Sequence, residues 1–193
     1  MSTAPRVLAF GGSLRRASFN QQLVRVAAEG ARQAGAAVTV LELRELPMPV
    51  FDEDLEREHG LPANAKRFKE LLKEHDALLI SGPEYNSSIT AALKNAIDWA
   101  SRAEPNEKPL ACFAGKVCGL MAASPGALGG LRGLVTVRSI LSNIQVFVLP
   151  DQLAVSKAHE AFTSDGKLKD EKQHAAVLRI GARVVEVARK LAQ

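Results

Sequence analysis

Five short, mostly apolar runs recur along the chain, and they constrain its fold more than any other feature of the sequence. Most of them lack the alternation of apolar and polar residues that marks a strand with one face in water, so they are typical of strands buried on both faces. Helical patterns separate the runs, which predicts an α/β fold with a parallel sheet covered by helices on both faces. The predicted strands are Arg6–Phe10, Val38–Leu43, Ala77–Ile80, Val117–Ala122 and Gln145–Leu149.

The predicted helices begin and end at residues that favour those positions. The first runs from Ser18 to about Ala34, and Gly35 supplies a left-handed cap after it. Pro62 can open another helix, which continues to about Glu74. Further helices are predicted over Thr90–Arg102, up to about Leu141, and near the end of the chain, where Val177, Ile180, Val184, Val187 and Leu191 have helical spacing and are expected in the core.

Three segments are predicted to lie outside regular structure. Leu46–Phe51 contains two prolines and cannot form a central strand, because proline lacks the donor that the ladder needs. The acidic run Asp52–Asp54 is expected to be a solvated loop, and Pro150–Asp170 is expected to connect the last strand to the last helix.

The composition indicates a globular, mildly basic protein. Its 193 residues are expected to form one domain, 1–193, with a formal charge of +4 and a pI of about 9.2. Lys and Arg are scattered among acidic residues, which argues against a nucleic-acid groove and suits small anionic ligands. No run approaches the ~18 apolar residues of a membrane span, and no signal peptide is apparent. Cys112 and Cys118 lack Cys-x-x-Cys or zinc spacing, which favours a cytoplasmic protein without a metal site; Cys118 is expected to be buried.

The turn after the first strand has the composition of a phosphate-binding loop. Gly11 and Gly12 allow a tight turn into a helix whose first N–H groups attract anions. No Gly-Lys-Ser/Thr follows as in a Walker loop, and the third spaced glycine of a dinucleotide fingerprint is missing, so a monophosphate fits better. Its predicted donors are Ser13, Arg15, Ser18 and Asn20.

Two further loops that leave strand ends are rich in Gly, Ser, Pro and Asn, namely Ser81–Ser88 and Ser124–Gly133. In open parallel sheets, ligands bind beyond the carboxyl ends of the strands, near the point where strand order reverses. The loops after strands one, three and four therefore predict a common ligand site.

Three motifs occur in order in these loops and span nearly the whole chain: Gly11-Gly12-Ser13-Leu14-Arg15 with Ser18 and Asn20; Gly82-Pro83-Glu84-Tyr85-Asn86 with Ser88 and Leu93–Trp99; and Ser124-Pro125-Gly126 with Gly129-Gly130 and Arg132. Together they resemble the NADPH-dependent FMN reductase family, the flavodoxin-like group that contains bacterial quinone reductases, chromate reductases and azoreductases. The resemblance implies a three-layer fold whose five parallel strands have the order 2-1-3-4-5.

The resemblance also implies which residues hold FMN. The phosphate would be bound by Ser13, Arg15, Ser18 and Asn20. The isoalloxazine ring would be lined by Pro83, Glu84, Tyr85 and Asn86. The other side of the ring, near its pyrimidine carbonyls, would be contacted by Ser124 and Gly126. Because the flavin carries the hydride chemistry, no side chain is expected to be catalytic.

Several positions have more than one interpretation. Relatives commonly carry proline at the position of Thr90, but threonine can cap a helix, so the loop is expected to keep its form. Trp99 is expected at a subunit interface rather than in the core. Glu84 is either a flavin contact or a solvated charge, and Arg132 either contacts a phosphate of NADPH or caps the glycine-rich turn.

The resemblance implies an FMN-dependent oxidoreductase that passes two electrons, by a ping-pong mechanism, from NADPH or NADH to an acceptor. The acceptors of such enzymes are quinones, chromate, azo compounds, nitro compounds or free flavin. A homodimer or homotetramer is implied by the resemblance as well. From the composition we expect no nucleic-acid partner and no membrane span. In agreement, the sequence has no Gly-x-Ser-x-Gly elbow, and its four histidines lack triad or metal-ligand spacing.

Three other functions are compatible with such a fold. A flavodoxin-type electron carrier is disfavoured by the basic pI and by Arg15, since carriers of that kind are acidic and bind phosphate without arginine. A response-regulator receiver is excluded because it needs an aspartate where this chain has Ser81-Gly82-Pro83. A non-catalytic module that retains FMN stays open.

Overall fold

The computed structural model describes residues 4–192, and a parallel five-stranded sheet stands at its centre. The strands are β1 (Arg6–Gly11), β2 (Ala37–Glu42), β3 (Ala77–Ser81), β4 (Val117–Ala123) and β5 (Phe147–Val155). Their order is β2-β1-β3-β4-β5, and every pairing is parallel. The predicted fold class and strand order are confirmed.

Helices cover both faces of this sheet. They are α1 (Phe19–Gln33), α2 (Glu53–His59), α3 (Ala63–Glu74), α4 (Ala91–Ser101), α5 (Leu131–Asn143), α6 (Ala158–Ala161) and α7 (Glu171–Leu191), with a short 3-10 turn at Leu43–Glu45. Side chains of β1 alternate between the two faces, as in any strand. Val7 and Ala9 join the core beneath α1 and α7, whereas Leu8 and Phe10 join the core beneath α3, α4 and α5.

Most predicted helix boundaries agree with the structure to within a residue or two. Ser18 is the N-cap of α1, and Gly35 follows that helix with a φ of +84°. Pro62 precedes α3, and Thr90 precedes α4. The interpretation of Asp52–Asp54 as a loop was wrong. Asp52 caps α2 by accepting hydrogen bonds from the N–H groups of Asp54 and Leu55, and the acidic residues after it suit the positive end of the helix.

The last strand begins later and ends later than predicted, so Pro150–Asp170 is not a continuous loop. The register shifts between Cys118, which pairs with Val148, and Leu120, which pairs with Gln152. Pro150 lies within this irregularity, on the edge strand of the sheet, where a missing N–H donor is tolerated. Beyond the irregularity the strand continues to Val155.

The final helix packs tightly against the first. Val177, Ile180 and Val184 are buried in the core as predicted, but Leu191 is exposed at the end of α7. The close approach depends on Gly30 of α1 and Gly181 of α7. Within residues 4–192, no helix combines the length and apolar character needed to cross a membrane.

Candidate functional site

The three predicted loops meet at the carboxyl edge of β1, β3 and β4. Backbone hydrogen bonds continue across this edge past the strand ends, from Gly12 N to Ser81 O (2.8 Å) and from Gly82 N to Met121 O (3.0 Å). The loops enclose a small cavity and an adjoining wider cleft. All predicted cofactor-binding residues except Asn86 and Gly126 line the small cavity.

The smaller space, here called the polar cavity, has a volume of about 50 Å³. Its walls come from α1 and the loop before it, from the loop after β3 and from the loop after β4. The predicted residues that line it are Ser13, Arg15, Ser18, Asn20, Pro83, Glu84, Tyr85 and Ser124.

Serine hydroxyls in this cavity are oriented by local backbone groups. Ser13 Oγ accepts a hydrogen bond from Arg15 N, Ser18 Oγ from Gln21 N, and Ser124 Oγ from Gly126 N. In each case the oxygen is the acceptor, so the hydroxyl hydrogen stays available to a ligand. Hydroxyls oriented in this way suit an acceptor-rich ligand, such as a phosphate beside Ser13 and Ser18 or a ring carbonyl beside Ser124.

Positive charge is directed toward the same cavity. Arg15 is exposed, and its guanidinium carbon lies 5.7 Å from the centre of the Phe19 ring. Within residues 4–192, Arg15 has no carboxylate partner. The first turn of α1 contains no acidic residue, so the positive end of its dipole is not offset there. An anion in the polar cavity would therefore be stabilised by the Arg15 guanidinium and by the N-terminus of α1.

Asn20 holds the loops together. Its Oδ1 accepts hydrogen bonds from Ala123 N (2.9 Å) and Ser81 Oγ (2.8 Å), and its Nδ2 donates to Ala123 O (2.8 Å). One N–H of the amide is left for a phosphate oxygen. Asn20 thus joins α1 to the ends of β3 and β4, a structural task that its position in the motif did not reveal.

Glu84 caps helix α5. Gly130, the residue before this helix, has no side chain with which to cap it, and Glu84 Oε2 instead accepts hydrogen bonds from Arg132 N (3.0 Å) and Gly133 N (3.3 Å). Arg132 Nε donates to the other carboxylate oxygen at 2.7 Å. Burial by itself would raise the pKa of Glu84, but these bonds outweigh it and lower the pKa. Glu84 is therefore not a solvated charge; its carboxylate fixes the loop after β3 against the loop after β4.

Tyr85 and Asn86 form the tip of the loop after β3. Tyr85 and Ser88 exchange backbone hydrogen bonds, and the two residues between them have positive φ, 52° at Asn86 and 66° at Ser87. This is a type I′ arrangement, in which Asn is favourable and Ser is not. The tight turn leaves the side chain of Tyr85 52% exposed beside the cavity.

The wider space, here called the open cleft, has a volume of about 390 Å³ and lies between Tyr85 and the start of α4. It shares Ser13, Arg15 and Tyr85 with the polar cavity. The other lining residues are Gly12, Leu14, Thr90, Ala91 and Ala92. Small residues at the start of α4 leave room for a flat group next to Tyr85.

Thr90 connects the two walls of the open cleft. Its hydroxyl accepts a hydrogen bond from Leu93 N, as the predicted cap would, and it donates to Gly12 O at 2.6 Å. The capping was predictable from the residue type, but the bond to Gly12 was not, because those residues are 78 positions apart.

The prediction that the side chain of Trp99 faces a second subunit was wrong, because no part of it reaches the surface of its own chain. It is fully buried within its own chain. Its indole N–H donates to Pro49 O at 2.8 Å, and its ring packs edge-on against Phe51. The proline-rich segment after the 3-10 turn folds over α4 and covers this residue, which the helical pattern of α4 could not show.

Comparisons with known proteins agree with this architecture. The family described as NADPH-dependent FMN reductase matches residues 5–160. An NAD(P)H-dependent FMN reductase of Pseudomonas aeruginosa is 36% identical over 173 residues, which cover 89% of each chain. A quinone reductase of Escherichia coli K12 is 35% identical over 153 residues, covering 77% of this chain and 76% of that protein. The solved structure of FerB, a flavoenzyme NAD(P)H:acceptor oxidoreductase from Paracoccus denitrificans, covers 97% of this chain and 98% of its own with a TM-score of 0.81 and 26% identity.

Fold and site thus define a flavodoxin-like oxidoreductase. The chain belongs to the NADPH-dependent FMN reductase family, whose members are flavin-dependent enzymes that use NAD(P)H. The polar cavity fits the monophosphate of that cofactor, since it combines oriented hydroxyl donors, a guanidinium and a helix N-terminus.

Proposed function

We propose that this protein catalyses the two-electron reduction of quinones by NAD(P)H. The overall reaction consumes NAD(P)H, a proton and a quinone and yields NAD(P)⁺ and a hydroquinone. When bound, FMN supplies the hydride chemistry, accepting the electron pair from the nicotinamide and delivering it to the acceptor. The names of the relatives support both the donor and the acceptor class.

The observation that carries this proposal is the polar cavity beside the open cleft. The cavity would hold the FMN phosphate through Arg15 and the free hydroxyl hydrogens of Ser13 and Ser18, with the spare N–H of Asn20. Pro83, Tyr85, Asn86 and the backbone of Glu84 would line the ring on one side, with Ser124 and Gly126 on the other. No side chain of the chain is needed as an acid, base or nucleophile.

The open cleft would hold the second reactant. Its volume exceeds that of the polar cavity several-fold, yet one wall is common to both. We propose that NAD(P)H and the acceptor occupy it in turn, which gives a ping-pong mechanism. Initial rates measured over a grid of NADPH and quinone concentrations test this, because parallel double-reciprocal lines are expected and intersecting lines would contradict alternate occupancy.

Spectroscopy on the purified protein separates the proposed enzyme from its alternatives. The protein reconstituted with FMN should be yellow, and NADPH or NADH should bleach it under anaerobic conditions without a partner reductase. Bleaching only through a reductase would instead identify an electron carrier, and absence of bleaching would identify a non-catalytic module. Rates of turnover of the same protein with quinones, chromate, azo compounds, nitro compounds and free flavin would measure its acceptor preference.

The assembly and location of the enzyme are proposals as well. We propose one FMN-binding domain that forms a homodimer or homotetramer, and light scattering on the holoprotein would measure its mass. Exposed apolar side chains, among them Val50 and Val135, support a contact between copies. Cys112 and Cys118 are both free and buried, as expected for a chain that works in a reducing, cytoplasmic environment.

A further inference from the structure

A third space, with a mainly apolar lining, lies beside the open cleft. It has a volume of about 120 Å³ and lies between the start of α4 and the segment that follows β2. We call it the apolar groove; it is defined by Leu14, Leu43, Leu46, Pro47, Met48 and Ala92. Some of its lining residues, such as Leu14, belong to the motifs, but none of them is a proposed FMN contact.

The groove offers no charged side chain to an occupant, and most of its lining surface is apolar. Besides the defining residues it is lined by Ala96 and Asn95. The amide of Asn95 is engaged with the covering segment, accepting from Phe51 N (2.8 Å) and donating to Pro49 O (2.9 Å). An ion placed there would lose its hydration without meeting an opposite charge, whereas a hydrocarbon would lose no hydrogen bonds.

The groove is continuous with the open cleft. Leu14 and Ala92 line both spaces. Leu14 follows Ser13 of the polar cavity directly, and its side chain is 56% exposed at this junction. A molecule with a flat head in the cleft and an apolar tail could therefore extend past Leu14 without crossing a polar barrier. Met48 on the far wall is flexible and polarizable, which suits tails of different shape.

We propose that the apolar groove binds the hydrocarbon substituent of the acceptor whose ring reacts in the open cleft. The preferred acceptors are then quinones that carry an alkyl chain, rather than unsubstituted quinones or inorganic anions. This inference rests on the proposed function for the identity of the ring, but none of the residues that line the groove is a proposed FMN contact.

The test compares two quinones on the FMN-loaded protein, benzoquinone and the same ring with a straight alkyl chain. Each methylene buried in the groove should lower KM by up to about fourfold. The variant Met48→Gln keeps the length of the side chain but makes the wall polar, so it should remove most of the advantage of the alkyl quinone and leave KM for benzoquinone unchanged. Met48→Leu should retain the advantage, and Glu45→Gln, at an exposed position next to the groove that does not line it, should behave like the original protein.

A binding measurement makes the result independent of turnover. A 1,4-dimethoxybenzene that carries the same alkyl chain cannot accept electrons, and calorimetric titration should show that it binds more tightly than plain dimethoxybenzene, with the difference lost in Met48→Gln. Equal affinity of the two compounds, or equal KM for the two quinones, would overturn the proposal. A change of oligomeric mass in Met48→Gln would also overturn it, because the groove would then be filled by a second copy. If benzoquinone is not reduced at all while the chain-dependent binding persists, the proposed quinone reductase activity fails and the apolar groove stands.

Discussion

The hydroxyl of Thr90 donates a 2.6 Å hydrogen bond to the carbonyl oxygen of Gly12, so the start of α4 is fastened to the turn that precedes the polar cavity. Thr90 is buried, and the same hydroxyl accepts from Leu93 N. A single oxygen therefore caps the helix and positions the backbone next to Ser13. A proline at this place could do neither through a hydroxyl.

Replacing Thr90 by valine should destabilise the protein and weaken FMN binding. Valine matches the shape of threonine but leaves the Gly12 carbonyl and the Leu93 N–H without a partner, which costs about 1–3 kcal/mol for a buried polar group. Urea unfolding and fluorescence titration with FMN measure the two effects. Thr90→Ser keeps the hydroxyl and should lose much less; equal unfolding curves for Thr90→Val and the original protein would show that the bond to Gly12 does not hold the loop.

Removal of the guanidinium from the polar cavity should weaken FMN retention while leaving the fold intact. Arg15→Ala loses a charge-assisted hydrogen bond to phosphate, so the free energy of FMN binding should become less favourable by about 1.5–3 kcal/mol. Arg16→Ala is a matched control, since Arg16 is an exposed neighbour that does not line the cavity. If both variants bind FMN as the original protein does, the phosphate lies elsewhere.

A methyl group at the contact between α1 and α7 should be strongly destabilising. A Cβ added at Gly181 of α7 would overlap the backbone carbonyl oxygen of Ala27 in α1, and neither helix can easily move away because the two are packed together. Although alanine favours helices by about 1 kcal/mol over glycine, this overlap should make Gly181→Ala less stable by more than about 3 kcal/mol. Gly133→Ala in α5 is the control: its nearest neighbour would be Glu84 Cβ at 3.4 Å, so thermal unfolding should change little.

Loss of the carboxylate next to a buried lysine should also destabilise the fold. Lys69 is fully buried and donates to Arg102 O and to Glu107 Oε2, both at 2.5 Å. Burial raises the pKa of Glu107, but hydrogen bonds from Lys69 and Lys73 outweigh it and lower the pKa to about 2. Glu107→Gln should therefore cost about 3 kcal/mol, because the ammonium of Lys69 stays buried with less compensation.

The matched control removes the other partner of the same carboxylate. Lys73 is 39% exposed, so Lys73→Gln should lower the free energy of unfolding by no more than about 1 kcal/mol. In the original protein, the contribution of Glu107 is complete above pH ~4.3, the usual pKa of glutamate, and is lost as the pH falls toward 2. A Glu107→Gln protein with unchanged stability at pH 7 would contradict this reading of the ion pair.

The stability of the protein should decrease on mild acidification because of His75. Its Nδ1 lies 2.6 Å from Leu71 O and must donate there, so in the neutral ring its Nε2 accepts from Thr39 Oγ1 at 2.8 Å. Burial lowers the pKa of His75; the bond to Leu71 raises it, and nearby Arg6 lowers it further. The unfolded chain then binds more protons below pH ~6.5, so the free energy of unfolding falls as the pH drops from 7 to 5, by at most about 1.4 kcal/mol per unit.

Denaturant unfolding at several pH values checks this slope. His75→Gln should flatten the dependence between pH 7 and 5, whereas replacement of the exposed His59 by glutamine should leave it as it is. An identical slope in His75→Gln would mean that other groups produce the acid sensitivity.

Features that arise from residues close together along the chain were predictable before the fold was known. Unbroken apolar runs predicted β1, β3 and β4, which are buried on both faces, and capping residues such as Ser18, Pro62 and Thr90 marked helix starts. The glycine-serine turn after β1 led to the proposal of a phosphate-binding loop. These signals are local, because they depend on periodicity and on the backbone preferences of single residues.

The pairing of polar groups and the covering of surfaces depended on the folded arrangement of the whole chain. Glu84 became the cap of α5, Asn20 the joint between two strand ends, and Trp99 a buried residue beneath Pro49. β5 likewise continued through Pro150 because it lies at the sheet edge, where its neighbour sets the register. Each of these outcomes depends on partners that lie far apart along the chain, and a one-dimensional pattern carries no information about which distant group will be brought within hydrogen-bond distance.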